Sequence, residues 1–232
     1  MLNMINMIKL DWLGMKSYHI WAFLTPLPVI LIGLTIGEWM VIPVSIFLMW
    51  TFALVPFLLE EKGDINRLYL TLPVQRKRIV SARFGLALLM VTVGILLGIV
   101  LTLVINALVD GQTTFNNRWF QLSFGSIFLL VCVGLSLCSL VLFCSFPFLF
   151  KFGYAKGKFF AYYVPIVGAG VLIGILSLLP IYTETFFAVL SSAFDWIAAN
   201  NVWFALIILA VAALFFALSY LLSQKAYAKR EF

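Results

Sequence analysis

Six apolar runs, each near the length that crosses a bilayer, fill most of this chain, and nothing between them is long enough to build its own core. A hydrocarbon layer of about 30 Å takes about 20 residues of α-helix. The runs cover approximately residues 20–37, 39–59, 84–109, 120–150, 159–180 and 202–223, with no Asp, Glu, Lys or Arg inside any of them. Backbone polar groups must be satisfied internally in lipid, which leaves helices for runs of this kind. The expected fold is an all-α membrane protein with six transmembrane helices in a single domain over residues 1–232. Composition agrees: 64% of residues are hydrophobic and 10% charged, against about half and about a quarter in soluble domains.

The loop charges predict an orientation. Lys9 and Lys16 precede the first run. Lys62, Arg67, Arg76, Lys77, Arg78 and Arg83 follow the second; Lys151, Lys156 and Lys158 follow the fourth; Lys225, Lys229 and Arg230 follow the sixth. These alternate segments share one face and hold fourteen of the 15 basic residues, leaving Arg118 for the other face with Glu38, Asp110, Glu184 and Asp195. The positive-inside rule puts the basic face, and both termini, in the cytoplasm. The net charge of +6 is thus spent on topology, and nucleic acid is not an expected partner. The first 30 residues lack a signal-peptide plan, because Lys9, Asp11, Lys16 and His19 interrupt them.

Three pieces outside the runs carry pattern. Residues 1–16, with Met4, Met7, Ile8 and Trp12 among Lys9, Asp11 and Lys16, read as a helix lying at the membrane interface or as an extension of the first span. Residues 181–200 mix Phe186, Phe187, Leu190, Phe194 and Trp196 with polar residues, as an outer interfacial helix, a re-entrant hairpin or an aromatic belt does. Residues 60–83 form the most informative loop. Asp64 suits a helix cap, Ile65, Leu68, Tyr69 and Leu72 share one helical face, Pro73 stops the helix, and Arg76, Lys77 and Arg78 follow. Such a face serves a soluble partner or the lipid interface equally well.

Enzymatic signatures are missing. There is no phosphate-binding loop, since Gly157-Lys158 is followed by Phe159 and lacks the upstream glycine. Gly134-Leu135-Ser136 resembles a serine-protease fragment, but the single histidine, His19, lies at the edge of the first span. Glu60-Glu61 is followed by Ile65 where a membrane protease would need arginine. Cys132, Cys138 and Cys144 fall at i, i+6 and i+12, which spreads them around a helix and suits buried hydrophobes rather than a metal cage. No catalytic or metal-binding residue is expected. Ion-coupled transport normally uses ionisable groups at membrane depth, and the runs hold none. Pro26, Pro28, Pro43, Pro56, Pro147 and Pro165 are candidate kinks, with a bend in the long fourth run expected near Pro147. Gly170 and Gly174 form a GxxxG pair suited to close helix contact between subunits, to contact within the chain or to a lipid face.

The stretch from Leu68 through Leu72-Pro73-Val74-Gln75-Arg76-Lys77-Arg78-Ile79-Val80 to Arg83-Phe84, preceded by Glu60-Glu61, resembles the first cytoplasmic loop of bacterial ABC-2 type transporter permeases. Members of that family often read Leu-x-Ser-Leu-Pro-Val-x-Arg-x-x-Ile-Val there. Thr71 replaces the common serine and Arg83 the common lysine. The resemblance implies a type V exporter-like architecture, with residues 1–16 as the elbow helix and the loop as a coupling helix that docks on an ATP-binding subunit through Asp64, Ile65, Arg67, Leu68, Tyr69, Leu72, Pro73, Arg76, Lys77 and Arg78. The Lys151–Lys158 turn would be a second contact and residues 181–200 the outer re-entrant segment. It implies no cofactor in this chain, ATP and Mg on two copies of the partner subunit, a second copy of the permease, and a place in the bacterial plasma membrane. Within the family the chain looks most like small Gram-positive exporters of antimicrobial or amphipathic peptides, such as the phenol-soluble modulin exporter permease. Phe143, Phe146 and Phe148 are the expected candidates for an apolar substrate path. A non-transporting immunity or sensor protein and a secondary transporter are the alternatives. The cargo, the transport direction and a homodimeric or heterodimeric pairing are not written in the sequence.

Overall fold

The computed structural model describes residues 4–35, 37–62, 76–108, 124–178, 192, 196 and 199–229, with backbone alone over most of 160–178. Apart from Gly37 they are all in helices or turns: α1 (Met4–Gly14), α2 (His19–Leu24), α3 (Pro26–Thr35), α4 (Val41–Thr51), α5 (Val55–Lys62), α6 (Arg76–Leu108), α7 (Phe124–Leu178) and α8 (Asn201–Ala228). Short 3-10 turns at Lys16–Tyr18, Glu38–Met40 and Phe52–Leu54 link the first five. Among the described residues, five stretches are long and apolar enough to cross a membrane: Lys16–Thr35, Val41–Glu60, Lys77–Ala107, Phe124–Phe159 and Asn201–Ala228. The sixth expected span, 159–180, is helical backbone through Leu178.

Prolines and glycines set the breaks. Pro26 opens α3 and Pro56 stands second in α5, where a missing N–H removes no helical hydrogen bond. Between α3 and α4 Gly37 takes φ 125°, a conformation that glycine alone adopts freely. The reversal there is tight: a Cβ on Gly33 would lie 2.7 Å from Val41 and 2.8 Å from Ile105. In α7 the bend expected at Pro147 lies at Gly153 instead, with φ 75° and ψ 179°. A proline removes one hydrogen bond but keeps a helical φ, whereas this geometry needs a residue without a side chain. The chain turns back sharply, since a Cβ on Gly157 would come within 3.0 Å of Leu149 Cα and 3.1 Å of Phe148 O. The Lys151–Lys158 segment is therefore the elbow between two helical arms of α7.

Side chains are distributed as lipid demands. Large apolar groups point outward, including Phe23 (87% exposed), Leu31 and Trp203. Hydroxyls point inward: Ser45, Thr102, Ser139, Ser145 and Ser219 are all buried. Ser45 Oγ lies 2.8 Å from Ile42 O and 2.9 Å from Gly94 O, joining α4 to α6. Ser219 Oγ donates to Leu142 O at 3.0 Å, joining α8 to α7. Polar groups in hydrocarbon bind best to other helices in this way. Cys132 and Cys138 are buried free thiols and Cys144 is partly buried.

Candidate functional site

The two helices that lead into and out of segment 63–75 are joined by a buried ion pair. Phe57 and Glu60 lie one turn apart on α5, and Arg83 lies two turns into α6. Arg83 Nη1 donates to Glu60 Oε2 at 2.8 Å, with the side chains 1% and 3% exposed. Arg83 Cζ also stands 4.2 Å from the Phe57 ring centroid and 5.7 Å from that of Phe150. A buried charge is tolerated only when an opposite charge and polarisable neighbours replace water. Arg83, which reads in sequence as the last cation of a loop, is thus an internal residue of α6.

An aromatic cluster surrounds the pair. Phe57 meets Phe146 and Phe150 edge to face at 5.4 and 5.0 Å, and Phe84 meets Phe146 at 5.0 Å. Phe84 also touches Phe216 and Tyr220 on α8, each at 5.3 Å. Phe150 reaches Tyr227 near the chain's end at 5.5 Å, and the hydroxyls of Ser81 and Tyr220 are 2.9 Å apart. Such edge-to-face pairs add directional stabilisation to the area they bury. On the N-terminal side Met7 joins the same core, and Gly14 lies beside Leu59. The arrangement draws the segments bearing Lys9 and Lys16, Lys77 and Arg78, Lys151 to Lys158, and Lys225 and Lys229 to one end of the molecule. At the other end Gly125, in the first turn of α7, meets Asn201, which opens α8.

Asp64, Ile65, Arg67, Leu68, Tyr69, Leu72 and Pro73 lie outside the described residues. Arg76 begins α6, Lys77 is exposed and Arg78 is half-buried. The helix therefore starts about two turns before the apolar run does. Phe143 is half-buried against Phe215 at 5.5 Å, and Phe148 stacks on Phe152 at 6.4 Å. Phe146 is wholly enclosed in the aromatic cluster. The ring of His19 packs on Trp12 at 4.7 Å. Among the described residues no three His, Cys, Asp or Glu side chains gather where a metal could bind.

The profile of the ABC-2 family transporter proteins matches residues 4–228, almost the whole chain. The chain belongs to the ABC-2 transporter family. No curated protein and no solved structure matches it. The protein is therefore a membrane permease of an ABC transporter, a transport component of a family that generally works with an ATP-binding subunit.

Several features of this ABC-2 permease escape a sequence reading. The Glu60–Arg83 pair is hidden because a positive-inside count treats every loop cation as solvated. A close helix contact falls at Gly94 and Gly98; the packing of Gly170 and Gly174, singled out by pattern, lies outside the described residues. A Cβ on Gly94 would come 2.9 Å from Ile46 Cα, and one on Gly98 would strike Ser45 Oγ and lie 3.1 Å from Ile42 Cα. The legible signal was the spacing of two glycines with a buried serine on the neighbouring run.

Proposed function

We propose that this permease is the membrane-spanning subunit of an ATP-driven exporter that moves amphipathic or antimicrobial peptides, or other hydrophobic compounds, out of the cell. The reading places the permease in the bacterial plasma membrane with both termini in the cytoplasm and the arm of α7 beyond Gly153 as a sixth span. Two copies of the chain, related by a two-fold axis, work with two copies of an ATP-binding subunit that hold ATP and Mg. Residues 64–72 form the coupling helix, α1 the elbow helix, and residues 181–200 the outer re-entrant segment.

One observation carries the mechanism. The buried Glu60–Arg83 bridge fastens the last turn of one span to the first turns of the next, across the segment that would dock on the motor. A push on that segment then moves both spans together, and through the Phe84, Phe150, Phe216 and Tyr227 contacts it reaches α7 and α8. Aromatic groups in direct contact pass displacement from one helix to the next. Leu68, Tyr69 and Leu72 supply the apolar part of the joint, with Asp64, Ile65 and Pro73 shaping it and Arg67, Arg76, Lys77 and Arg78 adding charge contacts. Phe143 and Phe148 offer partly open aromatic surface to an apolar cargo, and Phe146 fixes the helix that presents them.

The test is copurification and activity with the ATP-binding subunit. The tagged permease brings that ATPase down with it. Leu68→Asp or Tyr69→Asp releases the ATPase or abolishes ATP-dependent export, while the permease itself keeps its thermal stability in detergent. Wild-type export by both variants would overturn the role of this loop.

A further inference from the structure

A cavity of about 260 Å³ lies between α6, α7 and α8, on the membrane side of the aromatic cluster. Ala87, Leu88, Cys138, Ala212, Ala213 and Phe216 line it, and its one nearby hydroxyl, Ser139, already donates to Ser136 O at 2.9 Å. Two of the lining residues are on the outer surface: Leu88 is 48% exposed and Ala213 is exposed. The cavity thus opens through the seam between α6 and α8 onto an exposed apolar face. Small residues at Ala87, Ala212 and Ala213 keep the seam open where larger ones would close it. An apolar cavity of about 150 Å³ already stays dry and accepts a benzene-sized ligand, so this one has room for a length of hydrocarbon.

The seam also carries a charge at the right height. On α6, Lys77 and Leu88 are eleven residues apart on one face of the helix; Ser81 and Phe84 between them pack on Tyr220 and Phe216 of α8, so a lipid runs over the outer edge of the seam before its chain enters the cavity mouth. Lys77 is exposed and begins the membrane-crossing stretch. At about 1.5 Å per residue it stands about 16 Å above Leu88 along the axis. That is within the reach of a lipid whose phosphate sits at the membrane surface and whose chain points to the midplane. Basic side chains where transmembrane helices meet the headgroup layer attract anionic headgroups.

We propose that this seam is a binding site for one anionic glycerophospholipid, with its phosphate at Lys77 and the end of one acyl chain in the cavity. Occupancy fills a void at the three-helix junction beside the aromatic cluster, so the bound lipid supports the packing that links α6 to α7 and α8. The site is distinct from Phe143 and Phe148, it assigns Lys77 to the lipid rather than to the ATP-binding subunit, and it does not depend on the direction of transport or on the nature of the cargo.

The test uses the full-length permease in nanodiscs that contain phosphatidylglycerol or phosphatidylcholine carrying a diazirine in the middle of one acyl chain. After irradiation, peptide mapping reads the labelled residues. Phosphatidylglycerol is expected to label the segments around Leu88, Cys138 and Ala213 above the level on the outward face of α3 at Leu27 and Leu31. Lys77→Gln is expected to lower its advantage over phosphatidylcholine by about fivefold. Ala213→Phe, or Leu88→Trp as a second surface substitution, closes the mouth and removes the cavity label while the α3 label persists. Equal labelling of cavity and outer face, or cavity labelling unchanged in both mouth variants, would overturn the site. Equal labelling by the two lipids would overturn its preference for an anionic headgroup. Loss of the cavity label on adding an amphipathic peptide would give the cavity to cargo instead and refute the proposal.

Discussion

Arg83 and Glu60 are the costliest residues in the described structure to bury and the least replaceable one at a time. Removing either partner strands the other in a low-dielectric site, which costs about 3–5 kcal/mol. Arg83→Met or Glu60→Gln should therefore lower the unfolding midpoint in detergent markedly, and purified yield should fall with it. Replacing both with apolar residues of similar volume should recover most of that loss, because the desolvation penalty goes with the charges. A double-mutant cycle on unfolding free energy measures the coupling; additive losses would mean that the 2.8 Å contact contributes nothing. The recovered double variant then separates stability from transmission, since it would fold but lack the bridge across segment 63–75.

Helix packing rests on a few glycines. Gly98→Leu forces a side chain into Ser45 and Ile42 and should destabilise the α4–α6 contact by about 1–3 kcal/mol. Ser45→Ala, which loses the bond to Gly94 O, should cost only about 0.6 kcal/mol. Denaturation in mixed micelles reads both, and a larger loss for Ser45→Ala than for Gly98→Leu would contradict the packing described. Gly153→Ala should cost about 1–3 kcal/mol, because φ 75° with ψ 179° is a conformation that essentially glycine alone adopts. At this scale the sequence was legible where one physical cause dominates. Apolar run length marked the five long apolar helices. It was illegible where two causes compete. Pro147 looked like the bend because proline breaks helices, yet Gly153, five residues before Lys158, provides the reversal that a proline cannot. Arg83 looked solvated because nothing local to it reveals the Glu60 carboxylate arriving from the preceding helix. Residues 64–73, which lie outside the described residues, read as an amphipathic face by period, but a period names a face and not what covers it.

Among the described residues, the molecule is apolar outside and joined inside by hydroxyls, glycines and the Glu60–Arg83 ion pair. It draws its basic segments together at one end, where the aromatic cluster connects them. The chain carries no phosphate-binding loop, so under the proposed function it supplies the moving parts of a transporter and another polypeptide supplies the energy. Reconstitution tests that division of labour most directly. The purified permease is placed in proteoliposomes with ATP and a fluorescent amphipathic peptide, with and without the ATP-binding subunit. The account predicts no ATP hydrolysis and no ATP-dependent peptide movement from the permease alone, and both once the second subunit is added. ATP hydrolysis or peptide transport by the permease alone would contradict it.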